Sequence, residues 1–68
     1  MIETFTGESK ESIAEAVGGA YNNLDVWMES RSVDIVITSV VPTANVISTE
    51  TRFWYFFTLT IMFKEVPV

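Results

Sequence analysis

Carboxylates and aromatic rings carry most of the chemistry this chain has to offer. Nine acidic side chains face four basic ones, and there is neither histidine nor cysteine. Glu8, Glu11 and Glu15 follow one another closely, and a helix through the last two places Glu11 and Glu15 on one face. Two carboxylates in a pocket can divide acid and base roles, but a solvated helix surface gives the same spacing. Glu3, Glu8 and Asp34 are oxygen donors of the kind Ca²⁺ and Mg²⁺ take. No loop has the alternating-aspartate spacing of a dedicated calcium site, although carboxylates repeated around an axis of an assembly would bind cations weakly. The commonest general base and metal ligand is missing with histidine, and no glycine-rich loop cradles a phosphate; Gly7 alone reads as a turn. These features predict a protein that is not an enzyme.

The aromatic residues are more specific. "RFWYFFTLTIMF" (52–63) sets five aromatic side chains next to one another. A strand sends alternate side chains to opposite faces. One face then holds Phe53, Tyr55, Phe57, Leu59, Ile61 and Phe63, apolar throughout. The other holds Trp54, Phe56, Thr58, Thr60, Met62 and Lys64, aromatic at its start, polar in its middle and charged at its end. The first set suits a core. Trp54 and Phe56 are then exposed, buried against another subunit, or stacked on a flat ligand, because one helix cannot cover both sides of a sheet.

Size sharpens that question. With 68 residues the chain makes one small domain, 1–68, and domains of this size are marginal unless disulfides, a metal or oligomerisation assist them. Without cysteine or histidine, oligomerisation is the remaining route. The composition agrees: 49% of residues are hydrophobic and only 19% charged. A net charge of −5 with scattered cations (Lys10, Arg31, Arg52, Lys64) argues against nucleic acid and against anionic membrane surfaces. No signal-peptide pattern is visible, and no apolar run approaches the ~20 residues of a membrane helix. A soluble protein is expected, and the lack of cysteine fits the cytoplasm.

The elements that position these residues follow from pattern. Residues 2–7 form a short strand candidate ending at Gly7. Ser9 stands as a helix N-cap with Glu11 in the first turn. Ile13, Ala16, Val17, Ala20, Tyr21, Leu24 and Met28 then recur at helical spacing, and the helix ends between Trp27 and Ser32. Gly18 and Gly19 lie inside it, either packed against another backbone or leaving a bare surface, with Gly18 the more outward. Residues 33–41 are β-branched and strand-like, with weak alternation because Val36 and Val40 are both apolar. "PTAN" (42–45) breaks the run as a turn or bulge before Val46 and Ile47, "STET" (48–51) is the hairpin loop, and the last strand runs from about Arg52 to Glu65 before a tail ending in Pro67 and Val68. The predicted fold is α+β, in the order β-α-β-β: a three-stranded antiparallel sheet curled around one helix, with the aromatic strand central.

"FTGESKESIAEAV" (5–17) is similar to the strand-end and helix-start signature of the dodecins, a T-G-x-S-x-x-S pattern before an alanine-rich helix. Length, element order and the alternating last strand agree with that family. The resemblance implies a hollow homododecamer of β-α-β-β subunits that stores or sequesters flavin (FMN, riboflavin or FAD) between aromatic side chains at subunit interfaces. Several bacterial dodecins also carry coenzyme A. Dodecins stack the flavin on a tryptophan in a W-x-E context near the start of the second strand. An ungapped count places Val33 there, and the W-x-E of this chain is Trp27-Met28-Glu29. The family's flavin-bonding glutamine aligns with Phe56, and the chain has no glutamine. Trp54, Phe56 and Trp27 are therefore the candidate cofactor-binding residues. The competing expectations are a ligand-free oligomeric shell and a weak divalent-cation-binding assembly.

Overall fold

A computed structural model describes residues 1–66; the expected tail at Pro67 and Val68 lies outside the described residues. The elements follow the order β1 (Ile2–Ser9), α1 (Ile13–Glu29), β2 (Asp34–Ser48) and β3 (Phe53–Val66). The sheet is antiparallel with order β1-β3-β2, so the aromatic strand is central as its double-sided hydrophobicity requires. It is not closed into a barrel.

The start of α1 is set by two serines. Ser12, rather than Ser9, is the N-cap, and its hydroxyl accepts the Glu15 backbone N–H at 3.2 Å. Ser9 supports the same turn from outside: its Oγ accepts from the N–H of Glu11 (2.9 Å) and of Ser12 (3.3 Å) and donates to Glu15 Oε2 (2.6 Å). Glu15, not Glu11, is the acidic residue of the first helical turn. The cap thus moves along by one helical repeat because both serines have an oxygen to offer, and β1 needs Ser9 opposite Tyr55.

Gly7 is part of β1 and not a turn; it pairs with Phe57. Its lack of a side chain is what seats the helix. A Cβ at this position would lie 1.9 Å from the Ala16 carbonyl oxygen and 2.5 Å from the Ala20 nitrogen. Gly19 approaches the same spot, its virtual Cβ 3.4 Å from the Gly7 Cα, while Gly18 has nothing within 4 Å. The helix therefore rests its backbone directly on β1, with Ala16 and Ala20 fully buried at the contact. Asn23 fastens the outer side, donating from Nδ2 to the Thr6 carbonyl at 3.0 Å.

From Gly7 the helix runs back along β1 and β3 to Trp27, which packs between Phe5 (ring centroids 5.4 Å apart) and Phe63 (5.0 Å). The core is Phe5, Ala20, Leu24, Leu59, Ile61 and Phe63, with Trp27, Ile35, Ile37 and Phe57 packed around it. The expected apolar face of β3 is thus buried from Leu59 to Phe63, but Tyr55 and Phe57 are half-buried and Phe53 is 57% exposed, towards the end where the helix starts. The helix stripe is also narrower than its periodicity suggests. Ile13, Tyr21 and Met28 are exposed, while Trp27 takes a core position.

Strand β2 departs furthest from expectation. It continues unbroken through residues 42–45, and Pro42 pairs in register with Leu59. Proline is tolerated because β2 is an edge strand, where a missing N–H deprives no inner neighbour. The bulge lies earlier: the register shifts between Ile37 and Ser39, and the Thr38 hydroxyl donates to the Met62 carbonyl at 3.2 Å. One extra residue reverses the side-chain phase. Ile35 and Ile37 face the helix, and after Thr38 it is Val40, Pro42, Ala44 and Val46 that share their face. Val36 and Val40, which a single phase puts together, therefore lie on opposite sides. The hairpin loop is residues 49–52, one position later than expected, closed by the Thr49 N–H to the Arg52 carbonyl at 2.8 Å.

The helix lies on β1 and β3 and barely reaches β2. Its 17 residues span ~25 Å, against a molecule 52 Å long. Strand β2 is consequently exposed along most of its length, and the hairpin projects beyond β1 only from Phe53 and Trp54 to the loop.

Two substitutions at glycine should shift stability in opposite directions. Gly7→Ala is expected to destabilise by about 3 kcal/mol or more, since its Cβ would meet backbone that cannot yield as a side chain can. Gly18→Ala should stabilise by roughly 0.8–1.0 kcal/mol, the helix-propensity difference in open space. Urea unfolding midpoints at one fixed protein concentration measure both; a Gly7→Ala chain as stable as its parent would contradict the close approach.

Candidate functional site

Cross-strand partners share a face of the sheet, so the register defines the side turned away from the helix. At one end lie Trp54 beside Ile47, and Phe56 between Asn45 and Glu8. A hydroxyl band follows: Thr58 between Thr6 and Thr43, then Thr60 beside Thr4, with the Thr6 and Thr58 hydroxyls 3.4 Å apart. Met62, paired with Ile2, leads to the other end. No helix of this chain covers any of it.

Trp54 and Phe56 form the one aromatic corner of that face. Alternate positions on β3 put their rings side by side, with centroids 6.4 Å apart and planes 19° from parallel. Both are half-buried by their strand neighbours. Strand β1 ends at Ser9 opposite Tyr55, so Phe53 and Trp54 have β2 on one side and no strand on the other. Into that notch comes Lys10, the residue after β1, whose Nζ lies 4.6 Å from the Trp54 ring centroid. At the same end, but on the opposite side of the sheet, Phe53 and Tyr55 line an open depression with Lys10, Glu11, Thr51 and Arg52.

The structure brings Trp54 and Phe56 together and places Trp27 elsewhere. Trp27 packs against Phe63, about 30 Å along β3 from Trp54. Its exposed side carries Arg31, with the guanidinium carbon 4.9 Å from the Trp27 ring and 5.5 Å from the Phe63 ring. Arg31 also pairs with Glu65, closing the turn after the helix onto the end of β3. Trp27 packs, partly buried, against the core and has no part in the aromatic corner. Val33, the position that an ungapped count equates with the dodecin tryptophan, is half-buried beside that turn.

The acidic candidates are dispersed. Glu3 lies opposite Ile61, Glu8 opposite Phe56 and Asp34 opposite Val66. Glu15 is engaged with Ser9. Among the described residues, no three carboxylates gather as a metal site would require. Nor, among them, is any helix long and apolar enough to cross a membrane.

Not foreseen are Lys10, which lies over Trp54, and Arg52, which lines the depression beside Phe53; both look like scattered cations in the sequence. Lys10 follows the strand that pairs with residues 55–62 and Arg52 precedes the aromatic run, so the hairpin register draws them to one end. Comparison with models of protein families, with curated proteins and with solved structures gives no match in any of the three.

Because Trp27 sits between two core rings, Trp27→Ala should cost about 3–5 kcal/mol. Thermal or urea unfolding checks this. An unchanged midpoint would mean that the ring does not hold the helix to Phe5 and Phe63.

Proposed function

We propose that this chain is a dodecin-like, homo-oligomeric binding protein rather than an enzyme. Its subunits associate through the sheet surface the helix leaves bare, and Trp54 and Phe56 form a platform for a flat, flavin-type ring (FMN, riboflavin or FAD) at the subunit boundary. The function is to hold and sequester that ligand in the cytoplasm. One observation carries the reading: the only aromatic corner of the uncovered sheet face consists of two nearly parallel rings, 6.4 Å apart, at the end where β1 stops. Rings so arranged give a planar ligand a stacking surface.

Oligomerisation is supported by what stays exposed. Val40 and Val46 on one face of β2, and Val41 and Ile47 on the other, each expose about half of their surface. Phe53 adds to the first face at the hairpin end. Contiguous apolar surface of this extent on so small a chain usually marks an interface. A second reading, a ligand-free shell, is favoured by the same double-sided exposure of β2, which calls for protein partners whether or not a ring binds. The dispersal of Glu3, Glu8 and Asp34 leaves a cation-binding assembly dependent on carboxylates from several subunits.

Native mass spectrometry of the purified protein, alone and with excess FMN or riboflavin, separates these readings. A mass of twelve subunits that rises in ligand-sized steps is the expected result. Twelve subunits with no added mass favour the ligand-free shell, and a monomer at micromolar concentration overturns the oligomeric reading altogether.

A further inference from the structure

The helix covers β1 and β3 but barely reaches β2, so a trough runs between α1 and that outer strand on the helix side of the sheet. Its floor is Val40, Pro42, Ala44 and Val46, which pair with the core-facing residues of β3. All four are exposed. Its wall is the flank of α1 on which Ile13, Tyr21 and Met28 recur at helical spacing. Tyr21 marks the join: its ring stacks on Phe57 with centroids 6.4 Å apart, and Phe57 is the partner of Ala44. Phe53 closes the hairpin end. Val40, Val46, Ile13, Tyr21, Met28 and Phe53 each expose between 37 and 57% of their surface. Neither floor nor wall holds a charged side chain.

We propose that two copies of this chain meet in the trough, face to face about a two-fold axis, and that the Trp54 side of the sheet is left for the ligand. The inference rests on the oligomeric reading above and assigns it one surface and one occupant. A second copy fits the trough in charge, shape and size. A two-fold contact brings a patch against itself, and on a chain of net charge −5 a patch without carboxylates meets itself without repulsion. Its ends are complementary. Lys10 and Arg52 line the depression beside Phe53, whereas Asp25 and Glu29 stand towards the other end of the helix. Turning one copy end for end brings the cations of each beside the carboxylates of the other. The floor reads nearly alike in both directions, with a valine at each end and the small Pro42 and Ala44 between, so Val40 of one copy can lie over Val46 of its partner. The six partly exposed apolar side chains approach the roughly 800 Å² per partner of a standard interface. The other face suits self-association less, with a threonine band in its middle and Glu8 beside Phe56. Phe53, inside the contact, is the neighbour of Trp54, outside it, which keeps the platform at the subunit boundary.

Val46 and Ile47 are adjacent on β2, point to opposite faces and are equally exposed, at 55% and 54%, which makes them a matched pair. Native mass spectrometry and sedimentation of the full chain compare the parent with Val46→Glu and Ile47→Glu at one fixed concentration. Val46→Glu should weaken association by about a hundredfold or more, because it leaves an unpaired carboxylate in an apolar contact. Ile47→Glu should stay within about threefold of the parent, as a surface site does. A second measurement uses the absence of cysteine and decides the matter if Val46→Glu fails to fold. In the native assembly the thiol of Ala44→Cys should react with a maleimide about tenfold more slowly than that of Thr43→Cys, one residue along and on the other face. In urea the two rates should be equal. An assembly broken by Ile47→Glu and not by Val46→Glu, equal effects of the two substitutions, or equal labelling of the two thiols overturns the trough as the contact and leaves the oligomeric reading standing. A monomeric parent overturns both.

Discussion

The helix is held to this sheet by an absence. Gly7 gives up its side chain so that the Ala16 carbonyl and the Ala20 nitrogen can lie where a Cβ would stand, and Ala16, Ala20 and Gly19 are small enough to complete the contact. Direct backbone approach of this kind fixes a helix more narrowly than a layer of large side chains would. It draws α1 over β1 and the middle of β3. From that seat Leu24 and Trp27 reach Phe5 and Phe63, and the core forms at the end of the sheet away from the hairpin loop. The uncovered half of β2 is the other side of the same arrangement: a helix pressed onto one edge strand leaves the opposite one bare.

That asymmetry divides the molecule in two. One end is a small packed domain, sealed by Arg31 lying over Trp27 and Phe63 and pairing with Glu65. The other is the hairpin end and the length of β2, with exposed apolar side chains on both faces, which water alone stabilises poorly. Natural edge strands are usually blunted against uncontrolled pairing, and β2 carries two such devices, the Thr38 bulge and Pro42. Together they discourage edge-to-edge growth while leaving the faces available.

Much of the fold is legible in the sequence because its signals are periodic. The double-sided run from Phe53 onward demands a central strand, and strand order follows once the crossover helix is recognised. What escapes is set by single residues. The Thr38 bulge adds one residue within a β-branched run, with no glycine to announce it, and it converts a two-phase strand into an apparently poor one-phase strand. Pro42 looks like a break because a missing N–H tells against a strand in general, although the strand order already makes β2 an edge that tolerates it. Gly7 looks like a turn because its partner, the helix backbone, is invisible in one dimension. At the site, Trp54 and Phe56 are readable from alternation alone. Trp27 misleads because the helix stripe drifts: buried positions run 16, 20 and 24, and the last turn then packs the partly buried tryptophan, not Met28, against the core.

The pairing of β1 with β3 also sets an order of events. Ile2 lies opposite Met62 and Ser9 opposite Tyr55, so β1 leaves the ribosome well before β3, the strand it pairs with. Until then α1 can form its capped first turns but has only the solitary β1 to rest on, and Leu24 and Trp27 have no core to enter. The contacts that define the fold are therefore long-range ones, the kind that slow folding, and the chain passes through synthesis with its apolar surface unprotected. The β2–β3 hairpin, joined by a short closed loop, is the one pairing that can form locally. Its register in turn fixes the edge of β3 to which β1 pairs.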